Sequence, residues 1–153
     1  MKSRFPVLLS AAILAGVSLI GHAVAAEAGW IDDLDKALAK AKQDNKPVLA
    51  EFTGSDWCPP CKMMHQEVFS KPEFVKKASE KFILAVVDIP NGNPELRKKN
   101  QAVLEKYKVQ GVPTVILFDT AGKEFDRFTA SKYPTVEKFL AHLGEALDKK
   151  DMQ

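Results

Sequence analysis

Val48-Leu49-Ala50-Glu51-Phe52-Thr53 leads through Gly54-Ser55-Asp56-Trp57 into Cys58-Pro59-Pro60-Cys61-Lys62, and this stretch decides the fold. Val48 to Thr53 is a short apolar run and reads as a buried strand. Gly54, Ser55 and Asp56 are turn formers. Pro59 and Pro60 suit a first helical turn, where a missing N–H breaks no bond. Strand, turn and helix together place Cys58 at a helix N-terminus, where the macrodipole and the free N–H groups favour a thiolate. The thiolate is the form that attacks a disulfide. Cys61 lies one turn further on, positioned to resolve the mixed disulfide that results. A C-x-x-C that opens a helix after a strand in a βαβ pattern is a strong redox signal.

Working upstream, Ile31, Leu34, Leu38 and Ala41 recur at helical spacing from Trp30 to Asp44, with Asp32 or Asp33 as cap and Asn45-Lys46-Pro47 as stop. Downstream, the helix opened by Pro59 is expected to run to about Phe69. Ser70-Lys71-Pro72-Glu73 has the form of a capping box for a second short helix through Ala78. Phe82 to Asp88 is continuously apolar before its last residue and reads as a strand covered on both faces. A turn-rich break from Ile89 to Pro94 precedes a polar helix over about 95–107. Thr114 to Asp119 is another apolar segment, joined by a turn at 120–123 to a strand over 124–129. Val136, Phe139, Leu140, Leu143 and Leu147 form one stripe of a final helix. The expected fold class is α/β: a central mixed four-stranded sheet flanked by helices on both faces, with right-handed parallel crossovers.

Two motifs, Trp-Cys-x-x-Cys-Lys at 57–62 and Gly-Val-Pro-Thr at 111–114, give the chain a resemblance to the thioredoxin superfamily. The chain is especially similar to exported single-domain members with a Thr-Gly-Ser-Asp-Trp-Cys approach, and the likeness runs from about Trp30 to Leu147. It implies a thioredoxin fold and dithiol–disulfide exchange with protein substrates, without metal or organic cofactor. It also implies a cis peptide bond at Pro113, facing the redox pair, with Val112 offering backbone groups to an extended substrate segment. Trp57 is expected to cover the thiol site and meet substrate, or simply to pack.

Glu51 is a charge in an otherwise apolar strand. Thioredoxins carry an acid on this strand that helps deprotonate the resolving cysteine, which implies a proton-transfer role for Glu51; an edge or surface carboxylate is the alternative. This chain departs from the family by using Glu for Asp and by one extra residue before the first cysteine. It also lacks a lysine between Phe82 and Val87, where thioredoxin has one. Pro60 matches the reducing thioredoxins and tilts the expected direction toward reduction, with isomerase or oxidase as alternatives.

At 153 residues, 46% hydrophobic and 27% charged, the chain has the composition of one soluble globular domain. Met1 to Ala26 has a basic start (Lys2, Arg4), an apolar run from Phe5 to Ile20, and small residues at its end. This is the layout of a secretory signal peptide, with cleavage after Ala25 or Ala26 fitting equally. A retained membrane anchor is the alternative, although the run is shorter than the ~20 residues of a spanning helix. The expected domains are therefore a signal peptide, 1–26, and a thioredoxin-like domain, 27–153, acting in the periplasm as a monomer. Lys2 and Arg4 account for the whole net charge of +2, so the remaining domain is neutral and has no footprint for nucleic acid. Arg97-Lys98-Lys99 reads as a solvated helix face. Export makes a structural disulfide conceivable. A bond three residues apart, however, closes too small a loop to stabilise much. A reductase outside the cytoplasm also needs a membrane-bound electron donor. A rival from another class is a copper carrier using Cys58, Cys61, Met64 and His65, although helix packing explains Met64 equally well. Lys62 stands where Cys-x-x-Cys-His haem attachment needs histidine.

Overall fold

The structure, a computed structural model, describes residues 28–152. The signal-peptide reading of residues 1–26 lies outside the described residues. In chain order the elements are β1 (Trp30–Ile31), α1 (Leu34–Asp44), β2 (Val48–Thr53), α2 (Pro59–Met64), a π-helical turn (His65–Phe69), α3 (Pro72–Lys81), β3 (Ile83–Asp88), α4 (Pro94–Lys106), β4 (Thr114–Phe118), β5 (Glu124–Thr129), a 3-10 turn (Ala130–Lys132) and α5 (Val136–Asp151). The sheet order is β1-β3-β2-β4-β5. β3 runs parallel to β1 and β2, while β4 runs antiparallel to β2 and β5.

The sheet has five strands where the sequence pattern predicts four. The extra one is β1, whose Trp30 and Ile31 pair with Leu84 and Ala85 rather than beginning α1. Two residues are too few to show a period, and Ile31 fits the spacing of the helix that follows. Asp33, not Asp32, caps α1, its Oδ1 accepting from Lys36 N at 3.2 Å. Asn45, in the left-handed region, closes that helix ahead of Pro47.

The sheet separates two apolar clusters. Val48, Ala50, Phe52, Ile116 and Phe118 face α1 and α4, where Ala37, Ala41 and Leu104 meet them. Leu49, Leu84, Val115 and Leu117 face α2, α3 and α5 and pack with Met64, Phe74 and Phe139. Every residue of β2 is buried, as a central strand covered on both faces requires. On the second face Phe69, Phe74 and Phe139 meet edge to face at 5.2–5.6 Å, a favourable aromatic geometry.

The helix opened by Pro59 reaches Phe69 as expected but changes its winding on the way, and one capping expectation fails. Beyond Met64 the helix continues as a π-helical turn, closed by Ser70 N on His65 O at 2.9 Å. The buried residues there are Met64, Val68 and Phe69. Spacings of four and five suit a wider turn than the 3.6 residues of an α-helix. The capping box at 70–73 does not form. Lys71 is the N-cap of α3 with no side-chain bond, while the Ser70 hydroxyl donates backward to His65 O at 2.7 Å.

Candidate active site

β2 delivers the chain to one end of the sheet, and the turn after Thr53 folds back on itself. Cys58 N donates to Gly54 O at 2.9 Å, and Cys58 then caps α2, with Pro59 and Pro60 in the first turn. Cys61 N donates to Cys58 Sγ at 3.3 Å. This N–H, at the positive end of the helix, favours negative charge on that sulfur when the pair is reduced. In the structure Cys58 and Cys61 are joined as a disulfide, with Cα atoms 5.2 Å apart. Both residues are buried.

The facing wall is the loop before β4. The Val112–Pro113 bond is cis, and Val112 O lies 3.8 Å from Cys58 Sγ. Pro113 O accepts from Ala130 N at 3.1 Å, which ties the loop to the end of β5. Thr114 Oγ1 donates to Gly111 O at 2.7 Å and tightens the same loop from within.

Trp57 is 38% exposed and is held in place along one edge. Its Nε1 donates to Ile89 O at 2.8 Å, and the Arg97 guanidinium lies 5.7 Å from the ring centroid. A Cβ built on Gly54 would stand 2.4–2.7 Å from the indole atoms Cε2, Cζ2 and Nε1. Glycine at 54 is therefore what lets the ring lie against the turn.

Several residues to which sequence reasoning assigns no part in the site complete this side. The Asp56 carboxylate accepts from Asn91 N at 2.9 Å and Gly92 N at 2.7 Å. These backbone bonds hold the Asp56 carboxyl below the usual carboxylate range. Asp88 accepts from both the amide and the hydroxyl of Ser55. Asn100 Nδ2 donates to Asp88 O at 2.6 Å. Arg97 donates to Ile89 O at 2.9 Å and to Asn91 Oδ1 at 2.8 Å. Arg97 thus turns inward to the loop instead of belonging to a solvated face. The available signals were Asp56 directly before Trp-Cys and the Asn91-Gly92 turn, but their partners lie more than thirty residues away in sequence.

Glu51 is only 4% exposed and pairs with Val86 on one side and Val115 on the other. The edge or surface alternative is therefore wrong: β2 is the middle strand. Alternation along β2 puts Glu51 on the face of Leu49, the face that packs against Met64 of the redox helix. Met64 itself is fully buried in that cluster, whereas His65 is exposed. The copper ligand set is thus divided between core and surface.

A mixed sheet that presents a Cys-x-x-Cys disulfide at a helix N-terminus, opposite a cis-proline, defines a thioredoxin-type thiol–disulfide oxidoreductase domain. Residues 34–147 match the family described as thioredoxin-like domain, and the chain belongs to it. It is 38% identical over 106 residues to the disulfide bond reductase DsbH of Chlamydia pneumoniae, covering 67% of this chain and 63% of that protein. To the thiol:disulfide interchange protein DsbD of Cronobacter sakazakii it is 34% identical over 117 residues, covering 76% of this chain and 19% of that protein. The chain thus spans less than two thirds of either relative's length. Among solved structures, a DsbH oxidoreductase superposes with a TM-score of 0.68 at 33% identity, covering 78% of this chain and 83% of that one. A thioredoxin from Thermus thermophilus superposes with a TM-score of 0.60 at 27% identity, covering 77% and 85%.

Proposed function

We propose that this chain is an exported thiol–disulfide reductase acting on other exported proteins. The observation that carries the reading is Cys58 as the N-cap of α2, with the Cys61 amide on its sulfur and Val112 O beside it. In the reduced protein the Cys58 thiolate attacks one sulfur of a substrate disulfide, forming a mixed disulfide and releasing the other substrate sulfur as a thiolate. Cys61, deprotonated with Glu51 as proton acceptor, then attacks Cys58 Sγ and expels the second substrate thiolate. Two electrons pass to the substrate, two protons follow, and the Cys58–Cys61 disulfide is left. Trp57, Val112 and Pro113 frame the substrate segment, whose backbone adds to Val112 as a strand would.

Export rests on the layout of residues 1–26, read as a signal peptide preceding a domain from 27 to 153 that works in the periplasm as a monomer. Pro60 supports the reducing direction, as does the relative named as a disulfide bond reductase. Regenerating the dithiol requires a donor of two electrons, for which a membrane-bound dithiol protein is the proposed partner.

Reduction of insulin by the full domain and its cysteine variants tests the exchange. Cys58→Ser should abolish turnover, and Cys61→Ser should accumulate mixed disulfides that a thiol reductant releases. Substantial turnover by Cys58→Ser would sink the reading. Equilibration with glutathione buffers tests direction: a reductase should lie near about −270 mV and an oxidase near about −120 mV.

A further inference from the structure

Four loops meet at the redox end, and the strand order sorts them by side. β3 and its following loop flank β2 on one side, and β4 and β5 flank it on the other. On the β3 side the charges of the two loops are engaged internally, Asp56 by two backbone amides, Asp88 by Ser55, and Arg97 by Ile89 O and Asn91, while the exposed Lys62 on α2 lies close enough to act on Asp56. The β4–β5 side differs. There an open groove of about 490 Å³ begins at Val112 and Pro113 and is lined further out by Lys108, Arg127, Phe128 and Lys132. No carboxylate among the described residues lines it.

Arg127 is matched by Glu124, with Nη2 and Oε2 2.7 Å apart, and its other N–H groups donate to Tyr107 O and Lys108 O. It holds the groove wall in shape, and its charge is already answered. Lys108 and Lys132 are exposed, and neither ammonium group has a partner among the described residues. The uncompensated charge lining this groove is therefore positive. The groove is continuous with the redox site, because Val112, which lines it, is also the residue whose carbonyl lies beside Cys58 Sγ.

We propose that this groove selects protein segments that carry Asp or Glu a few residues from the cysteine that meets Cys58. The inference rests on the exchange reaction proposed above and names its preferred substrate class. An extended segment crossing Val112 continues into the groove, with Pro113 and Phe128 as apolar wall and the two ammonium groups meeting its carboxylates. Charges on the rim of a binding site act mainly by steering encounter and fixing orientation, and salt weakens them.

The test uses the reduced full domain and three oxidants: two peptides of equal length, each closed by one internal disulfide, and uncharged bis(2-hydroxyethyl) disulfide. One peptide carries two Glu beside its cysteine, and the other carries two Lys at the same positions. At about 0.01 M salt, where the Debye length is ~30 Å, the Glu peptide should oxidise the domain about fivefold faster, the order expected of two exposed ion pairs. Near 1 M salt, where the Debye length is ~3 Å, the two rates should converge. The double variant Lys108→Glu/Lys132→Glu should invert the preference while its rate with the uncharged disulfide stays within about twofold, since no rim charge meets that reagent. If the double variant fails to fold, Lys108→Gln and Lys132→Gln should each remove part of the preference. Equal rates for the two peptides, or a preference that ignores these substitutions, would overturn the inference. If the unaltered domain fails to react with the uncharged disulfide, the exchange reading falls instead.

Discussion

Replacing Gly54 with alanine puts one methyl group where the Trp57 ring now lies. The new Cβ would stand 2.4 Å from Cε2, so the ring must retreat about 1 Å to reach ordinary contact at 3.4 Å. That movement lengthens the 2.8 Å bond from Nε1 to Ile89 O past a useful distance and draws the ring away from Arg97. The lost hydrogen bond is worth about 1 kcal/mol and the cation–π contact, at a half-exposed ring, about 0.5 kcal/mol. Gly54 is not in the left-handed region, so alanine also stabilises by about 0.4–1 kcal/mol by restricting the unfolded chain. The net loss is about 0.5–1 kcal/mol by urea unfolding. The sharper observable is a double-mutant cycle. In a Trp57→Ala background the clash is gone, and Gly54→Ala should become neutral or stabilising, which gives a coupling of about 1.5 kcal/mol. Indole fluorescence should report the displaced ring in the single variant. The same Gly54→Ala effect in both backgrounds would refute the assignment of Gly54 as the seat of Trp57.

Phe139→Ala should cost about 3–5 kcal/mol in chemical denaturation, because Phe139 is fully buried and touches Phe69, Phe74, Phe128 and Tyr133. Asp33 is bonded to Lys99 Nζ at 3.0 Å and to the Lys36 amide, which together hold its carboxyl below the ordinary 3.8. A lowered folded value means that the stabilisation is complete above the unfolded value and fades as pH falls through the folded one. Asp33→Ala should therefore cost about 1 kcal/mol at pH 7, and its stability should approach that of the parent in acid titrations below about pH 3.8. Glu51→Gln keeps the side chain's size and removes its proton-accepting charge. Release of the mixed disulfide should slow by about tenfold or more in stopped-flow measurements while the first attack is little changed; an unaltered release rate would rule out the proton role.

The features that were legible in the sequence are those written in adjacent residues. β2, β3 and β4 appear as apolar runs because both faces of a central strand are covered, and the cysteine pair shows its chemistry within four residues. β1 escapes because its identity as a strand lies in Leu84 and Ala85, far along the chain. Glu51 is visibly out of place in its strand, but its burial follows from β4 closing over β2 opposite β3, which is a tertiary fact. The bonds from Asp56 to Asn91 and Gly92, and from Trp57 to Ile89, are equally hidden, since neither end predicts the other. Ser70 misleads because one hydroxyl can cap the helix ahead or close the turn behind, and here it does the second.

The π-helical turn after α2 carries one residue more than an α-helical register needs. Gln66 and Glu67 are both exposed, and removing either would leave Met64, Val68 and Phe69 at offsets of three and four, the rhythm of an ordinary apolar stripe. The segment is therefore a natural point for the chain to change length by one residue. Such a change would leave Cys58 and Cys61 at the far end of the helix, where the disulfide chemistry stays untouched by the indel.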